Sequence, residues 1–399
     1  MTLRLIVAAL HAWVGLRIGP ALGPVGATLL ALLLVASVIV MPYGLRAGRR
    51  RKGAEADLLS WAALLAMGLF SSLFVLTLIR DLGLLVVAAA EAVLPSWPGW
   101  LVFDGSERTS ALAVLVGAAV ITLWGLANAR RTARIARVDV PVAELPAALE
   151  GFSIVQISDV HVGPTIRRPF VEAIVAAAND LDADLVAITG DLVDGPVREL
   201  APDVAPLAEL RSREGTFFVT GNHEYYSGAD AWVGELRRLG IRVLSNEHVV
   251  LQRGEATIVL GGVTDFSAGH FDRSQASDAR AAIAGAPAGA ALRILLAHQP
   301  RSAAAAEAAG FDLQLSGHTH GGQFFPWNFF VRLQQPFTAG LRRWRRMWVY
   351  TSRGTGYWGP PKRFGAPSEI TLLRLVRAGV PAPKRAAGRP LVREGAPSV

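Results

Sequence analysis

The stretch FSIVQISDVHVG, residues 152–163, ends an apolar strand pattern with two polar residues, Asp159 and His161. The same arrangement recurs in TGDLVDG, TGNHE, LLAHQP and LSGHTHGG, each of which follows a strand-like segment. Strand ends are where α/β folds gather ligands, because the loops there converge while the sheet holds them rigid. We therefore expect the polar residues of these motifs to lie together in one site.

Seven residues of these motifs have side chains that can bind metal ions: Asp159, His161, Asp191, Asn222, His298, His318 and His320. Carboxylate, amide oxygen and imidazole suit two divalent ions chosen from Mn, Fe, Zn and Mg, and Asp191 has two oxygens with which to bridge them. Ions about 3.5–4 Å apart can clamp a phosphoryl group and lower the pKa of a shared water, so that hydroxide attacks in line. The set predicts a metal-dependent phosphoester hydrolase.

The neighbouring residues support this interpretation. Gly190, Gly221 and Gly317 each precede a proposed ligand, where a glycine permits a tight turn and close backbone approach. Any one motif arises by chance in many proteins, and a single histidine is more often a surface or core residue than a ligand. Five of the 8 histidines nevertheless lie in these motifs, so it is their combination that indicates a site.

The composition predicts that part of the chain lies in a bilayer. Of the 399 residues, 52% are apolar, and the mean hydropathy is +0.36. The absence of cysteine excludes disulfides, thiolate nucleophiles, zinc fingers and iron–sulfur clusters. A formal charge of +8 is compatible with nucleic-acid binding, but basic residues beside membrane spans give the same balance, so membrane lipids are the preferred partners.

Three apolar stretches are long enough to cross a hydrocarbon core, which takes about 20 residues: 25–43, 58–79 and 109–127. A fourth, residues 3–18, is shorter and interrupted by basic residues. We interpret it as a further span in preference to an interfacial or buried helix. It lacks the cleavage site of a removed signal peptide. The chain is thus predicted to be a multi-pass protein of the cell (inner) membrane.

The basic residues that flank these stretches predict the orientation. One cluster consists of Arg46, Arg49, Arg50, Arg51 and Lys52, and the other of Arg130, Arg131, Arg134 and Arg137. Lys and Arg mark the cytoplasmic side, and one helical hairpin separates the clusters, so the half that follows is expected in the cytoplasm. Adjacent helical residues do not face each other, so Arg80 and Asp81 are interpreted as interfacial anchors rather than as a seal between helices or part of a site.

After residue 137, short apolar segments alternate with amphipathic ones, which is typical of an α/β domain. The candidate strands are 152–157, 185–189, 216–220, 242–244, 257–260, 293–297, 313–315, 348–351 and 369–375, with helices at 169–181 and 229–239. The predicted organisation is a transmembrane helical region at 1–137, the α/β domain at 138–377, and a disordered tail rich in Pro, Ala, Gly and Arg at 378–399.

The ordered motifs ISDVHVG, TGDLVDG, TGNHEYYSG, AHQP and LSGHTHGGQ closely resemble the calcineurin-like metallophosphoesterase superfamily over residues 152–375. The resemblance implies two packed β-sheets flanked by helices. It assigns one metal to Asp159, His161, Asp191 and His320, and the other to Asp191, Asn222, His298 and His318. Asp191 would bridge the ions, and His223 matches the non-ligand histidine that contacts the phosphate and assists the leaving oxygen.

Residues 350–367 are similar to a membrane-anchored subgroup that includes transmembrane proteins with a metallophosphoesterase domain and YkuE- and YaeI-type bacterial phosphodiesterases. Some relatives are linked to hydrolysis of UDP-2,3-diacylglucosamine in lipid A synthesis, which implies a phosphodiester or pyrophosphate substrate with a lipid part. Protein phosphatases carry an Arg after the second motif's aspartate, whereas Gly195 and Pro196 follow Asp194 here, so that activity is disfavoured. A nuclease and a non-catalytic membrane scaffold remain as alternatives.

Two further features have open interpretations. Residues 324–348 combine aromatic and arginine side chains, which suit a membrane-contacting surface or a lid over an anionic substrate. Alternatively, the aromatic residues pack on the sheet and the arginines point to water. Asp265 and His270 follow another strand and are candidates for the rim of the site.

Overall fold

The computed structural model describes residues 2–50, 54–93 and 107–379, and nearly all of the tail predicted at 378–399 lies outside them. The chain begins with four long helices: α1 (Thr2–Ile18), α2 (Gly23–Arg50), α3 (Ala54–Val93) and α4 (Glu107–Arg130). Three stretches are long and apolar enough to cross a membrane, namely Arg4–Pro42, Glu55–Ala90 and Glu107–Arg130. The first of these contains both α1 and α2.

Helices α1 and α2 form an antiparallel hairpin around a short turn at Gly19–Leu22. A Cβ added at Gly15 would lie 3.2 Å from Leu34, and the His11 ring lies 3.0 Å from Ser37 Oγ. These pairs run in opposite directions along the two helices, and Val14 is fully buried between them. The segment 3–18, predicted as a span, is therefore a helix that packs within the bundle.

The Arg80–Asp81 pair joins helices at one end of the bundle, a role that the sequence interpretation set aside in favour of interfacial anchoring. Arg80 is buried and donates through Nε to Ser110 Oγ of α4 at 2.9 Å. Asp81 accepts from Arg17 of α1 at 2.6 Å and from Arg80 itself at 3.3 Å. Adjacent Cβ atoms on a helix point in different directions, but the Arg80 side chain is long enough to reach the Asp81 carboxylate. Three helices are thereby joined at one level.

Two six-stranded sheets form the α/β domain, as the predicted fold required. The strands are β1 (Arg134–Val142), β2 (Ser153–Ile157), β3 (Leu185–Ile188), β4 (Thr216–Phe218), β5 (Arg242–Val243), β6 (Glu247–Arg253), β7 (Ala256–Gly262), β8 (Leu292–Leu296), β9 (Leu313–Ser316), β10 (Gly340–Trp344), β11 (Met347–Thr351) and β12 (Glu369–Arg377). The first sheet has the order β1-β12-β2-β3-β4-β5, and the second has β10-β11-β9-β8-β7-β6.

A core of buried apolar side chains joins the two sheets. Ile154 and Phe217 of the first sheet pack in one cluster with Ile258, Ile294 and Leu313 of the second. Six short helices accompany the sheets: α5 (Arg168–Asn179), α6 (Val197–Val204), α7 (Asn222–Ser227), α8 (Ala229–Arg238), α9 (Ala279–Ile283) and α10 (Ala303–Ala309). Residues of α5, α6 and α8 form a second core with the first sheet, and those of α9 and α10 form a third with the second sheet.

Three strands were not predicted, and all are amphipathic or rich in charge. β1 begins at Arg134, before the predicted domain start at 138, and its arginines had been attributed to the membrane-flanking cluster. β6 and β10 lie at opposite edges of the second sheet. Edge strands are exposed along one side, so they do not need the continuous apolar run that identifies a central strand.

Candidate metal centre

All seven proposed ligands lie at the carboxyl ends of strands, where the two sheets meet. Asp159 and His161 follow β2, Asp191 follows β3, and Asn222 follows β4 as the first residue of α7. The other three, His298, His318 and His320, follow β8 and β9 of the second sheet. β2, β3 and β4 are parallel neighbours, as are β8 and β9. Both sheets therefore deliver their loops to one site.

The backbone at this site is locally strained. Five of the proposed ligands have positive φ angles: Asp159 (54°), His161 (57°), Asp191 (52°), His318 (68°) and His320 (51°). Residues other than glycine seldom adopt this conformation, which costs on the order of 1–3 kcal/mol each and is concentrated at functional sites. The turns position these side chains at the expense of local stability.

One group of ligand atoms gathers around His161. The Nε2 atoms of His161 and His320 lie 3.0 Å apart, and His320 Nε2 lies 3.5 Å from Asp159 Oδ1. Asp159, His161 and His320 offer ligand atoms that all lie within 4.8 Å of one another, and all three residues are buried. These are three of the four residues assigned to one metal by the family resemblance.

A second group gathers around His298. Its Nε2 lies 3.0 Å from Asp191 Oδ2 and 3.2 Å from His318 Nδ1. Asp191 Oδ2 also lies 3.9 Å from His161 Nε2 in the first group. One carboxylate oxygen thus stands between the groups, as a bridging ligand would.

Hydrogen-bond partners show which atoms are free to bind a cation. His298 Nδ1 donates to the Thr189 carbonyl at 2.8 Å, and His161 Nδ1 donates to Asp194 Oδ1 at 3.0 Å, which leaves both Nε2 lone pairs directed into the site. Asn222 Oδ1 is buried without a hydrogen-bond partner. A buried carbonyl oxygen without a partner is costly, and a metal ion would satisfy it. These residues fit the implied ions.

The hydrogen bonds of His320 do not leave its Nε2 free to bind a metal ion. Its Nδ1 accepts from Arg363 Nη2 at 3.0 Å, so the neutral ring carries its proton on Nε2, the atom that faces His161. Ligation through Nε2 therefore requires the contact with Arg363 to change. Arg363 is fully buried and also donates to the carbonyls of His320 and Arg353, which fixes the loop beside the site.

Two functional residues were missed by sequence reasoning. Asp194 Oδ1 lies 3.0 Å from His161 Nδ1 and 2.6 Å from His223 Nδ1, so one carboxylate orients both rings. Buried Glu224 accepts from the backbone amides of Asp191, Leu192 and Gly221. Both lie inside recognised motifs, GDLVDG and GNHE, so a carboxylate a few residues from a proposed ligand was the available signal.

Burial and charge shift the titration of these groups. Burial lowers the pKa of His223, but the hydrogen bond to Asp194 and the charge of Asp191 outweigh it and raise the pKa to about 9. Burial together with the positive charge of His298 lowers the pKa of His318 to about 3. Burial and the charge of Asp191 raise the pKa of Glu224 to about 7. A neutral His318 retains the lone pair that a metal ligand requires.

Glycine is required at two positions beside the ligands. A Cβ at Gly221 would overlap Asp191 Oδ1 and lie 2.6 Å from the Asp191 amide nitrogen. A Cβ at Gly317 would overlap Ser158 Oγ and Asp159 Oδ2. The close approach predicted for these glycines is present.

The mouth of the site is aromatic. The Tyr226 and Trp358 rings lie 5.3 and 5.6 Å from the His223 ring, and both side chains are exposed. Of the two rim candidates, buried Asp265 accepts from the side chain of Gln299, the residue after His298. His270 is exposed on a separate turn. Asp265 therefore supports a ligand loop from outside.

Comparison with known proteins supports the same assignment. A family described as calcineurin-like phosphoesterase matches residues 152–322. A transmembrane protein with metallophosphoesterase domain from Danio rerio is 39% identical over 290 residues, which cover 69% of this chain and 65% of that protein. An uncharacterized metallophosphoesterase of Campylobacter jejuni is 35% identical over 266 residues, covering 66% of this chain and 69% of the relative.

A more distant relative is the uncharacterized metallophosphoesterase YkuE of Bacillus subtilis. It is 29% identical over 245 residues, which cover 58% of this chain and 81% of that protein. The chain spans slightly less than two thirds of the Danio rerio relative. Together with the two-sheet fold and the converging strand-end motifs, these matches show that the chain belongs to the calcineurin-like metallophosphoesterase family.

Proposed function

We propose that the protein is a membrane-anchored phosphoesterase that uses two divalent metal ions to hydrolyse a phosphodiester or pyrophosphate bond. The observation that carries this proposal is that Asp191 Oδ2 lies 3.0 Å from His298 Nε2 of one ligand group and 3.9 Å from His161 Nε2 of the other, and that Asn222 Oδ1 is buried without a hydrogen-bond partner. When bound, the ions would supply Lewis-acid charge for the phosphoryl oxygens and lower the pKa of a water. Asp159, His161, Asp191 and His320 would hold one ion, and Asp191, Asn222, His298 and His318 the other.

His223 is placed to act on the leaving group. Its Nε2 lies 4.0 Å from Asp191 Oδ2, and its Nδ1 is held by Asp194. The ring therefore faces the space above the proposed ligands with a fixed orientation. A protonated His223 can bind a phosphate oxygen and donate a proton to the departing oxygen.

The natural substrate in this proposal has a lipid part, as UDP-2,3-diacylglucosamine does. The support is positional, because the loop that carries Trp358 at the mouth also contacts the apolar helix α3. A Cβ at Gly68 of α3 would lie 3.3 Å from Pro360, two residues after Trp358. A substrate held in the bilayer would thus have its phosphate near the site.

The proposal predicts that the full-length protein in detergent hydrolyses bis-p-nitrophenyl phosphate only with divalent metal. Chelation should abolish the activity, because the ligand atoms alone supply no Lewis acid, and Mn²⁺, Fe²⁺, Zn²⁺ or Mg²⁺ should restore it. UDP-2,3-diacylglucosamine and single-stranded DNA are then compared as substrates by product analysis. Faster cleavage of DNA would favour the nuclease alternative, and no hydrolysis of any substrate with each metal would favour the scaffold.

We also propose that the α/β domain lies on the cytoplasmic side of the inner membrane. The start of α3 lies at the bundle end that meets this domain, since Asp57 accepts from Arg167 at 2.8 Å, and the basic cluster directly precedes α3 in the sequence. Arg130 at the end of α4 stacks on Trp61 at the same end, with 5.4 Å to the ring centroid. Basic residues flanking spans favour the cytoplasm.

A fusion at the carboxyl terminus tests this orientation. A green fluorescent protein fused there should fluoresce, and an alkaline phosphatase should be inactive, because the first folds in the cytoplasm and the second requires export. Active phosphatase with a non-fluorescent partner fusion would place the domain on the opposite side.

A further inference from the structure

An aromatic segment, residues 324–333, connects two loops of the metal centre. It starts four residues after His320. Beyond its other end, the Gln335 side chain is hydrogen-bonded to the loop that follows His298. Gln335 Oε1 accepts from the Arg301 amide at 3.2 Å, and Gln335 Nε2 donates to Gln299 Oε1 at 3.2 Å. Both ends of the aromatic segment are therefore fixed to ligand-bearing loops.

The large apolar side chains of the aromatic segment are mostly exposed. They are Phe325, Trp327, Phe329, Phe330 and Leu333, and only Phe324 is buried. Phe329 is 65% exposed and Leu333 is 81% exposed, compared with 65% for Leu123 on the outer face of α4. Soluble proteins rarely leave so many adjacent large apolar side chains uncovered. The exposure matches that of the spanning helices.

The aromatic segment contacts α3 partway along its apolar length. Trp327 Nε1 donates to Ser71 Oγ at 3.1 Å. At the α-helical rise of about 1.5 Å per residue, Ser71 lies about 14 Å from Arg80 and about 15 Å from Trp61. Arg80 lies with Arg17 and Asp81 at one end of the bundle, and Trp61 stacks on Arg130 at the other. The separation of Arg80 and Trp61, about 29 Å, matches a hydrocarbon core of about 30 Å. The contact is thus at the depth of the core.

The neighbouring loop reaches the same depth and connects it to the mouth of the site. Lys362 Nζ donates to the Gly68 carbonyl at 3.0 Å and also to Ser72 Oγ of α3. Gln323, directly before the aromatic segment, donates to the carbonyls of Trp358 and Pro360. The aromatic segment and the loop that carries Lys362 therefore both contact α3 at residues 68–72, between Trp61 and Arg80.

We propose that the aromatic segment is inserted in the bilayer beside α3, where lipid acyl chains cover the exposed faces of Phe329, Phe330 and Leu333. The continuity of this surface with the outer face of the helices selects lipid as the occupant. Insertion holds the mouth at Trp358 against the membrane, so that a phosphoester on a lipid headgroup reaches the metal centre without leaving the bilayer. The inference rests on the proposed membrane anchoring and specifies the contact between site and membrane.

Because the chain has no cysteine, one labelled thiol reports one position. The full-length protein carries Phe329→Cys or Leu333→Cys, with Phe330→Cys as a second choice should either variant fail to fold. Each is labelled with bimane and reconstituted in phosphatidylcholine vesicles that contain lipids brominated at known acyl-chain depths. Trp124→Cys, 64% exposed on α4, is the membrane reference, and Val250→Cys, 44% exposed on the edge strand β6 of the second sheet, is the reference outside it.

We expect bromolipids to quench the labels at 329 and 333 to an extent within about twofold of the label at 124, and several-fold more than the label at 250, since collisional quenching needs contact with acyl chains. Quenching at 329 and 333 no greater than at 250 would overturn the insertion while the spans stand. Absence of quenching at 124 would overturn the membrane anchoring and the insertion with it. Neither outcome depends on catalysis, so failure of the proposed hydrolysis is detected separately.

Discussion

Asp191→Asn should lower kcat/KM for bis-p-nitrophenyl phosphate by at least about 10³-fold, because the variant loses the charged oxygen shared by both metal groups. Asp191 Oδ2 lies 3.0 Å from His298 Nε2 of one group and 3.9 Å from His161 Nε2 of the other, so this carboxylate reaches both groups. The asparagine has the same size and can still accept from the His223 amide, as Oδ1 does now at 2.9 Å. Steady-state kinetics under saturating metal measure the loss.

Asp139→Asn is the matched control. Asp139 lies on the edge strand β1 and pairs with Arg374 at 2.9 Å on the exposed surface, where an ion pair contributes little. The Asp139→Asn variant should therefore retain wild-type activity. An Asp191→Asn enzyme with near wild-type kcat/KM and a normal circular dichroism spectrum would rule out a bridging role for Asp191.

His223→Ala should lower kcat by about 10²–10⁴-fold for a diester with a poor leaving group, and by less for p-nitrophenolate, which needs little protonation. The geometric reason is that Asp194 holds His223 Nδ1 at 2.6 Å and directs Nε2 toward the proposed metal groups. Metal content should stay close to that of the wild type, since His223 is not among the proposed ligands. Comparing alkyl and nitrophenyl diesters measures the difference.

The control for His223 is His248→Ala, which removes an imidazole from the edge strand β6, where its Nδ1 donates to the Ala282 carbonyl at 3.0 Å. Its activity should match the wild type with both diesters. Equal losses for alkyl and nitrophenyl diesters in His223→Ala would contradict a role in protonating the leaving group and would leave only phosphate binding.

The order of motifs along the chain was enough to predict much of the site. Each proposed ligand follows a strand with neighbours on both sides, and such strands are rich in apolar residues and easy to recognise, as in Leu185–Ile188. Parallel strand order then brings their carboxyl ends together without further information. This is why the residues that the resemblance assigns as ligands lie at the ends of neighbouring strands in the structure.

Contacts between residues distant in sequence could not be predicted in the same way. Arg363 reaches His320 across 43 positions, and Lys362 reaches Ser72 across 290. A buried arginine in a loop has no periodic pattern, and only the packed fold shows what it contacts. The contacts of the Arg80–Asp81 pair could not be predicted for a related reason, since its partners Arg17 and Ser110 lie on other helices.

The segment at 324–348 shows the limit of composition as a guide. Its aromatic and arginine parts were treated as one surface, but they separate in the fold. Trp327 contacts α3, whereas Arg342 and Arg343 lie on β10 at the outer edge of the second sheet. Most of the aromatic side chains at 325–330 are exposed rather than packed on the sheet, whereas Arg342 and Arg343 are exposed as the alternative interpretation expected.

The proposed two-metal mechanism requires that one shared aspartate, Asp191, hold both metal ions. Inductively coupled plasma mass spectrometry of full-length protein, purified without chelator and supplied with one divalent metal, measures the number of ions per chain. We predict about two equivalents for the wild type and at most one for Asp191→Asn, because the variant cannot bridge. One equivalent or none in the wild type, or two in the variant, would contradict the two-metal centre.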